Sequence, residues 1–362
     1  MAVLITAGKG QSALAFVVGV LGVLGIMGGT GCGTQGNAEA LIDTWPRTPL
    51  RGFVLRDAEQ PYALLRLGWD LDQPVVAPAQ SGDAAGAPLQ IWGRMSPRQE
   101  PEHGLLFRAA VSDLGAAEPP ELALTPEGWE GDDLASPSWL PAEAGRPALL
   151  FYQGGDGSVG MAKLGADGQV QRLTPTAPLV PASTLGPGRI GRVYALSVGA
   201  TVRLYYIVDS QHAHFAELDA AALARRAAGE PGELAAKVSP PLLWAADFLV
   251  KQTAVVMAPA ERLDGLSVRR VLTPAGRERY DLYAVAAATT RAVVVSAASY
   301  SGGSLTTTSE RFLPVESPAL SGNPTGTPSS PAVSETTGQP MLLLGLHTVE
   351  TGIAAAFIPH GP

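Results

Sequence analysis

Residues 136–162 read SPSWLPAEAGRPALLFYQGGDGSVGMA, and residues 330–354 read SPAVSETTGQPMLLLGLHTVETGIA. Both run Ser-Pro, a variable turn, Gly-Arg/Gln-Pro, an apolar run containing Leu-Leu, a second turn, and then Gly-Met/Ile-Ala. The two copies align with a one-residue adjustment in each turn. A weaker echo spans residues 194–217 (YALSVGATVRLYYIVDSQHAHFAE), with two strands around Gly199 followed by a loop and a third strand. A short meander that recurs along a chain, each copy unable to bury both faces alone, predicts a β-propeller. About 320 residues divided into blades of roughly 50–65 make five or six blades.

The rest of the chain keeps the same rhythm. Apolar runs such as 62–67 (YALLRL), 105–111 (LLFRAAV), 148–152 (ALLFY) and 202–208 (VRLYYIV) are bounded by Gly, Pro, Asp or Ser. So are 280–285 (YDLYAV), 292–297 (AVVVSA) and 341–346 (MLLLGL). Their β-branched and aromatic content with partial alternation reads as strand. The one helical stretch is 219–228 (DAAALARRAA), with Asp219 placed to cap it and Gly229 to end it. It is expected as a short helix between blades. Residues 74–88 and 317–330 are so rich in Pro, Gly and Ser that they read as linkers rather than core strands.

Of 362 residues, 42 are Gly and 31 Pro. Their spread along the whole chain signals many tight turns rather than one unstructured tail. Net charge is −8 and no block of Lys or Arg occurs, so the basic footprint that nucleic acid requires is missing.

Residues 1–40 have a different composition. Lys9 is the only charge before the run 13–27 (ALAFVVGVLGVLGIM), which leads into Gly28-Gly29-Thr30-Gly31-Cys32. A weakly positive start, about 15 apolar residues and then small residues form the pattern of an export signal. The run is short for a bilayer span. Cys32 is the only cysteine, so no intramolecular disulfide can form. Residues 29–32 resemble a bacterial lipobox, although Gly29 stands where Leu is preferred. The resemblance implies acylation of Cys32 and a membrane attachment through lipid. The alternative is ordinary cleavage near Ala38-Glu39-Ala40, which discards Cys32. The expected organisation is a signal segment over 1–32, a tether over 33–43 and a propeller over 44–362. That places the protein outside the cytoplasm, anchored in the periplasm or at the cell surface, or secreted if not acylated.

The repeat also resembles the five-bladed propeller superfamily that includes glycoside hydrolase families 43, 32 and 68. Blades there often begin Asp-Pro-Ser and proceed through a strand like LLFYQGG to a Gly-Ile-Gly-Leu-Ala-type strand. Here the comparable residues are Ser136-Pro137-Ser138-Trp139, then 149–155, then Val159-Gly160-Met161-Ala162. Ser330-Pro331 and Gly352-Ile353-Ala354 repeat the pattern. In such enzymes carboxylates from different blades converge to supply general acid and base. In this sequence the Asp of the motif is Ser136 in one copy and Ser330 in the other, and a hydroxyl cannot replace a carboxylate in that role. Other acids could serve, such as Asp57, Asp133 or Glu102, but none sits in a motif that forces it inward, and each reads as a solvated loop residue.

Trp92, Trp139, Tyr152 and Trp244 lie near predicted turns, where they could stack on sugar rings or fill the wedges between blades. His212 and His214 fall on one face of a strand, yet His103, His347 and His360 have no spacing that completes a metal site, so no metal and no cofactor is expected. No Gly-Xaa-Ser-Xaa-Gly elbow is present, and Gly154-Gly155-Asp156-Gly157 reads as a hairpin turn rather than a phosphate loop. Three functions stay open. The leading one is a non-catalytic envelope propeller that binds carbohydrate or a protein partner. The others are a glycoside hydrolase with a displaced carboxylate set and an assembly lipoprotein.

Overall fold

The computed structural model describes residues 53–55, 62–77, 89–112, 116–117, 119–143, 145–165, 168–230, 234–247, 249–251, 257–272, 278–287, 293–301, 304–313, 315–316, 327–334, 341–347 and 351–357. The chain divides into Met1–Asp43 and Thr44–Pro362, and every described residue belongs to the second unit. The signal segment, Cys32 and the tether therefore lie outside the described residues, as do Asp57 and His360.

Five largely antiparallel sheets follow one another along the chain as blades, and a two-stranded sheet, Leu249–Lys251 with Met257–Pro259, stands between the third and fourth. Blade I runs from its innermost strand outward as Trp69–Val76, Leu89–Pro97 and Leu105–Ser112, with Ala116–Ala117 and Glu121–Leu124 on the outer edge. Blade II is Leu134–Leu140, Leu149–Gly154, Val159–Leu164 and Val170–Arg172. Blade III is Ile190–Val198, Thr201–Val208 and His212–Asp219, edged by Lys237–Val238 and Leu243–Trp244. Blade IV is Arg262–Leu272, Glu278–Ala287, Val293–Ser301 and Ser304–Leu313. Blade V takes Thr327–Ser334, Met341–His347 and Thr351–Phe357 from the end of the chain. Its outer edge, Phe53–Leu55 and Tyr62–Leu64, comes from the beginning. Neighbouring innermost strands touch all the way round, and that of blade V also meets that of blade I. The five meanders thus close into a ring, and the N-terminal strands hydrogen-bond it shut.

The apolar runs are explained by the wedges between blades. Leu149, Leu150, Phe151 and Tyr152 are all fully buried because both faces of their strand are covered. Leu150 and Tyr152 pack toward blade I with Val75, Trp92, Leu106 and Trp139. Leu149 and Phe151 pack toward blade III with Met161, Leu204 and Tyr206. Tyr205, Ile207 and Phe215 meet Leu263, Val268 and Leu282 of blade IV. Leu71, Ile91 and Phe107 meet Leu343 and Ile353 of blade V.

The expected helix is present as Ala220–Ala227, with the Asp219 carboxylate accepting the Ala222 N–H at 2.6 Å. Leu223 and Ala227 bury its inner face. It lies within blade III, between the third strand and the outer edge, rather than between blades. A second helix, the four-residue Ala182–Leu185, was not expected from the sequence.

The linker reading needs correcting at two places. Residues 74–76 and 327–330 belong to the innermost strands of blades I and V. An innermost strand pairs on one side only, so it tolerates prolines that a central strand would reject.

Because Phe53–Leu55 and Tyr62–Leu64 pair with Thr351–Phe357 of blade V, a variant beginning at Leu65 is expected to lose cooperative thermal unfolding and to aggregate through the bare Thr351–Phe357 edge. Circular dichroism melts and gel filtration against a variant beginning at Gly33 check this. Equal melting temperatures would contradict ring closure by these strands.

Candidate functional site

All five innermost strands carry the same irregularity. In each, the ladder to the second strand breaks so that two residues oppose one. The pairs are Gln73-Pro74, Ser136-Pro137, Arg192-Val193, Gly265-Leu266 and Ser330-Pro331. These are β-bulges, and the extra residue has no ladder partner, which is why proline fits at Pro74, Pro137 and Pro331. The first residue of the pair takes a left-handed backbone, with φ of 54° at Gln73, 50° at Ser136, 58° at Arg192 and 78° at Gly265. Only glycine adopts that conformation at little cost. An ordinary side chain is strained there by about 1 kcal/mol.

The bulges turn their residues into a cleft on the ring axis. Gln73, Pro74, Val75, Ser136, Pro137, Arg192, Val193, Tyr194, Gly265, Leu266, Pro331 and Ala332 line it, and it holds about 30 Å³ of room for a water-sized sphere. Every blade contributes, so the cleft is a property of the ring and not of any one repeat. The cleft has room for an ordered water or two, well below a typical ligand pocket, so a ligand would rest at its open mouth.

Charge at the cleft is organised around Arg192. Its Nε and Nη2 both donate to Asp264 Oδ1, at 2.9 and 2.7 Å, and Nη2 lies 3.8 Å from Asp72 Oδ2. Asp72 and Asp264 are the residues just before the bulges of blades I and IV. One guanidinium of blade III thus ties together two other blades. Burial works against its charge, but Asp264, Asp72 and Asp133 outweigh that effect and hold the Arg192 pKa above the usual arginine value. Burial also raises the Tyr194 phenol, with a hydrogen bond to Ser267 opposing the shift in part. A second ion pair stands beside the first. Arg94, the cross-strand partner of Asp72, donates through Nε and Nη2 to Asp133 at 3.0 and 2.8 Å. Gln73 accepts the Ser136 N–H through its amide oxygen, linking two bulges directly.

Asp133 reaches this position from a pinned loop. Glu130, fully buried, accepts from Tyr152 (2.7 Å), from Arg172 (two bonds of 2.9 Å) and from the Glu127 N–H (2.8 Å). Burial and Glu130 together push the Tyr152 phenol pKa up. With both carboxylate oxygens occupied, the network anchors the chain just before Asp133.

The candidates from sequence fall into separate places. Trp92, Trp139 and Tyr152 are 1%, 6% and 0% exposed, in the wedge between blades I and II, with Trp92 and Trp139 edge-to-face at 5.2 Å. They cannot touch a sugar and are withdrawn as contacts; their role is packing. Trp244 is 53% exposed, on the outer edge of blade III and away from the axis. Asp133, contrary to its reading as a solvated loop residue, is bound to Arg94. Glu102 stays on the surface, 69% exposed beside His103. His214 stacks on Tyr206 and its Nδ1 lies 3.2 Å from the Ser239 carbonyl, while His212 stands against Trp244. Among the described residues no group of three His, Cys, Asp or Glu could hold a metal ion.

Gln73, Asp72, Arg192 and Asp264 were missed. Pro74 was the available signal, since it stands where Pro137 and Pro331 stand. The weak third repeat also began at Tyr194, the residue immediately after the Arg192-Val193 bulge.

No protein-family model matches the sequence. No curated protein matches it either. Solved structures do match in fold. An α-L-arabinofuranosidase of Podospora anserina, in complex with cellotriose, aligns with a TM-score of 0.55 at 11% identity over 87% of this chain and 98% of that one. A levansucrase of Bacillus subtilis aligns at 0.51 and 6% identity, over 86% and 92%. A fructofuranosidase of Schwanniomyces occidentalis, complexed with fructosylnystose, aligns at 0.55 and 8% identity, over 82% and 57%. The fold is that of the five-bladed propeller to which these glycosidases belong.

Replacing Arg192 with Ala leaves two carboxylates facing each other across the axis. The expected loss is about 2–3 kcal/mol, below the 3–5 of a fully buried pair because Arg192 keeps 23% exposure. The double variant Arg192→Ala/Asp264→Asn should recover part of it. Urea unfolding of the four species checks the coupling, and additive losses would show that the pair contributes nothing.

Proposed function

We propose that the chain is an exported lipoprotein, anchored through Cys32, whose propeller is a non-catalytic binding module for neutral carbohydrate. The carrying observation is the identity of the axial residues. The four described bulge-first side-chain positions are Gln73, Ser136, Arg192 and Gly265, with no carboxylate among them.

Sugar hydroxyls donate and accept at once. Gln73, Ser136 and Arg192 line the cleft, and Asp264 and Asp72 stand against Arg192, so both kinds of partner are close together. With the neighbouring Arg94–Asp133 pair the region carries three aspartates and two arginines, which nearly balance and suit a neutral polyol better than a strong anion or cation. The strain held at Gln73, Ser136 and Arg192 supports a role for those side chains, since glycine would serve the backbone alone. The carbohydrate-active proteins that share the fold add to this reading.

One observation favours a second reading, a hydrolase with a displaced acid set. Asp72 and Asp264 both lie within 4 Å of one Arg192 nitrogen, so two carboxyl groups do meet near the axis. A general acid, however, needs a carboxyl kept protonated by burial or by a neighbouring like charge. Here the Arg192 guanidinium hydrogen-bonds Asp264 and lies 3.8 Å from Asp72, so each carboxyl group already faces a cation.

Two measurements test the proposal. On a panel of neutral arabino-, fructo-, gluco- and xylo-oligosaccharides the domain is expected to bind without releasing product above the buffer rate. Turnover that Asp72→Asn or Asp264→Asn abolishes would establish the hydrolase instead, and silence across the panel would point to an envelope protein as ligand. In cells, labelled palmitate should enter the wild-type chain and not Cys32→Ser. Equal labelling, or none in either, would remove the lipid anchor.

A further inference from the structure

On the outer edge of blade III, away from the axis, one large aromatic side chain is held outward by rigid backbone. Leu243–Trp244 pairs with the start of His212–Asp219, with His212 opposite Trp244 and Ala213 opposite Leu243. Leu243 and Ala245 on either side are buried, and the Ala245 and Leu242 N–H groups donate to Gln211 and Ala213. The chain is therefore fixed on both sides of the indole. Trp244 remains 53% exposed with its contacts made, whereas Trp92 and Trp139 are buried.

A ladder of rings supports it from below. His212 meets the indole edge-to-face at 4.3 Å, His214 meets His212 at 6.5 Å, and Tyr206 stacks under His214 at 5.6 Å. Tyr206 is itself in the core between blades II and III. Keeping half of an indole in water forgoes the burial that the other tryptophans gain. A rigid aromatic platform loses little entropy when a ligand is laid on it. The two half-buried imidazoles beside it add hydrogen-bonding groups. Apolar face next to polar edge is also the surface of a sugar ring.

We infer that Trp244, with His212 and His214, forms a second carbohydrate-binding site on the edge of blade III, taking the apolar face of a neutral pyranose or furanose ring. It rests on the carbohydrate reading above and adds to it a position outside the axial cleft, so that a polysaccharide is held at two points of the ring.

The test is calorimetric titration of the oligosaccharide panel into wild type, Trp244→Ala, Trp244→Phe and Arg192→Ala, with tryptophan fluorescence followed in parallel. Wild type should bind and quench, Trp244→Ala should bind at least about tenfold more weakly, and Trp244→Phe should keep part of the affinity. Unchanged thermal melts show that the surface variants fold. If wild type binds and Trp244→Ala binds as well, the edge site is overturned while the axial reading stands. If Trp244→Ala loses binding and Arg192→Ala does not, the edge site stands and the axial cleft does not bind sugar. Silence from wild type overturns both.

Discussion

The rest of the molecule depends on a break in its hydrogen bonding. Five innermost strands meet around one axis, and each gives up its ladder for two residues there. Without the bulge, an alternating strand would direct every second side chain into one wedge or the other and present little but backbone to the axis. The bulge rotates one residue out of that alternation and aims it inward. Repeating this in every blade makes a cleft lined by all five. The local cost is left-handed backbone at Gln73, Ser136 and Arg192, and it is sustained by wedges packed with fully buried residues on both sides.

What those positions carry decides the chemistry. A propeller brings residues distant in sequence, such as Asp72, Arg192 and Asp264, into contact through ring closure alone. The same geometry would serve acid–base catalysis if free carboxyl groups of different protonation faced one another. Here a guanidinium stands between them, with a second ion pair, Arg94 and Asp133, beside it. The arrangement is stiff, nearly neutral and rich in both donors and acceptors.

Much of the fold was legible because it repeats. Ser136-Pro137 and Ser330-Pro331 proved to be equivalent bulges, and the runs at 148–152, 202–208 and 341–346 proved to be second strands of blades II, III and V. The Asp219 cap marked the helix correctly. The site was much less legible. Trp92, Trp139 and Tyr152 look like ligand platforms only while it is unknown which faces are covered; a buried wedge and an exposed shelf use the same residues. The prolines at 74 and 328 argued against strands because a one-sided innermost strand cannot be told from a central one in sequence. Asp72, Arg192 and Asp264 have no local pattern at all, since their relation exists only across blades. Asp133 was read as solvated for the same reason, its partner Arg94 lying 39 residues away.

The central claim is that the axial cleft holds carbohydrate without cleaving it. The most direct measurement is a crystal of the domain soaked for hours in the best-binding neutral oligosaccharide. An unbroken glycosidic chain should appear on the axis, with hydroxyl groups against Gln73, Ser136 and the Arg192–Asp264 pair. A cleaved product between Asp72 and Asp264, or a sugar bound elsewhere with the axis empty, would contradict it.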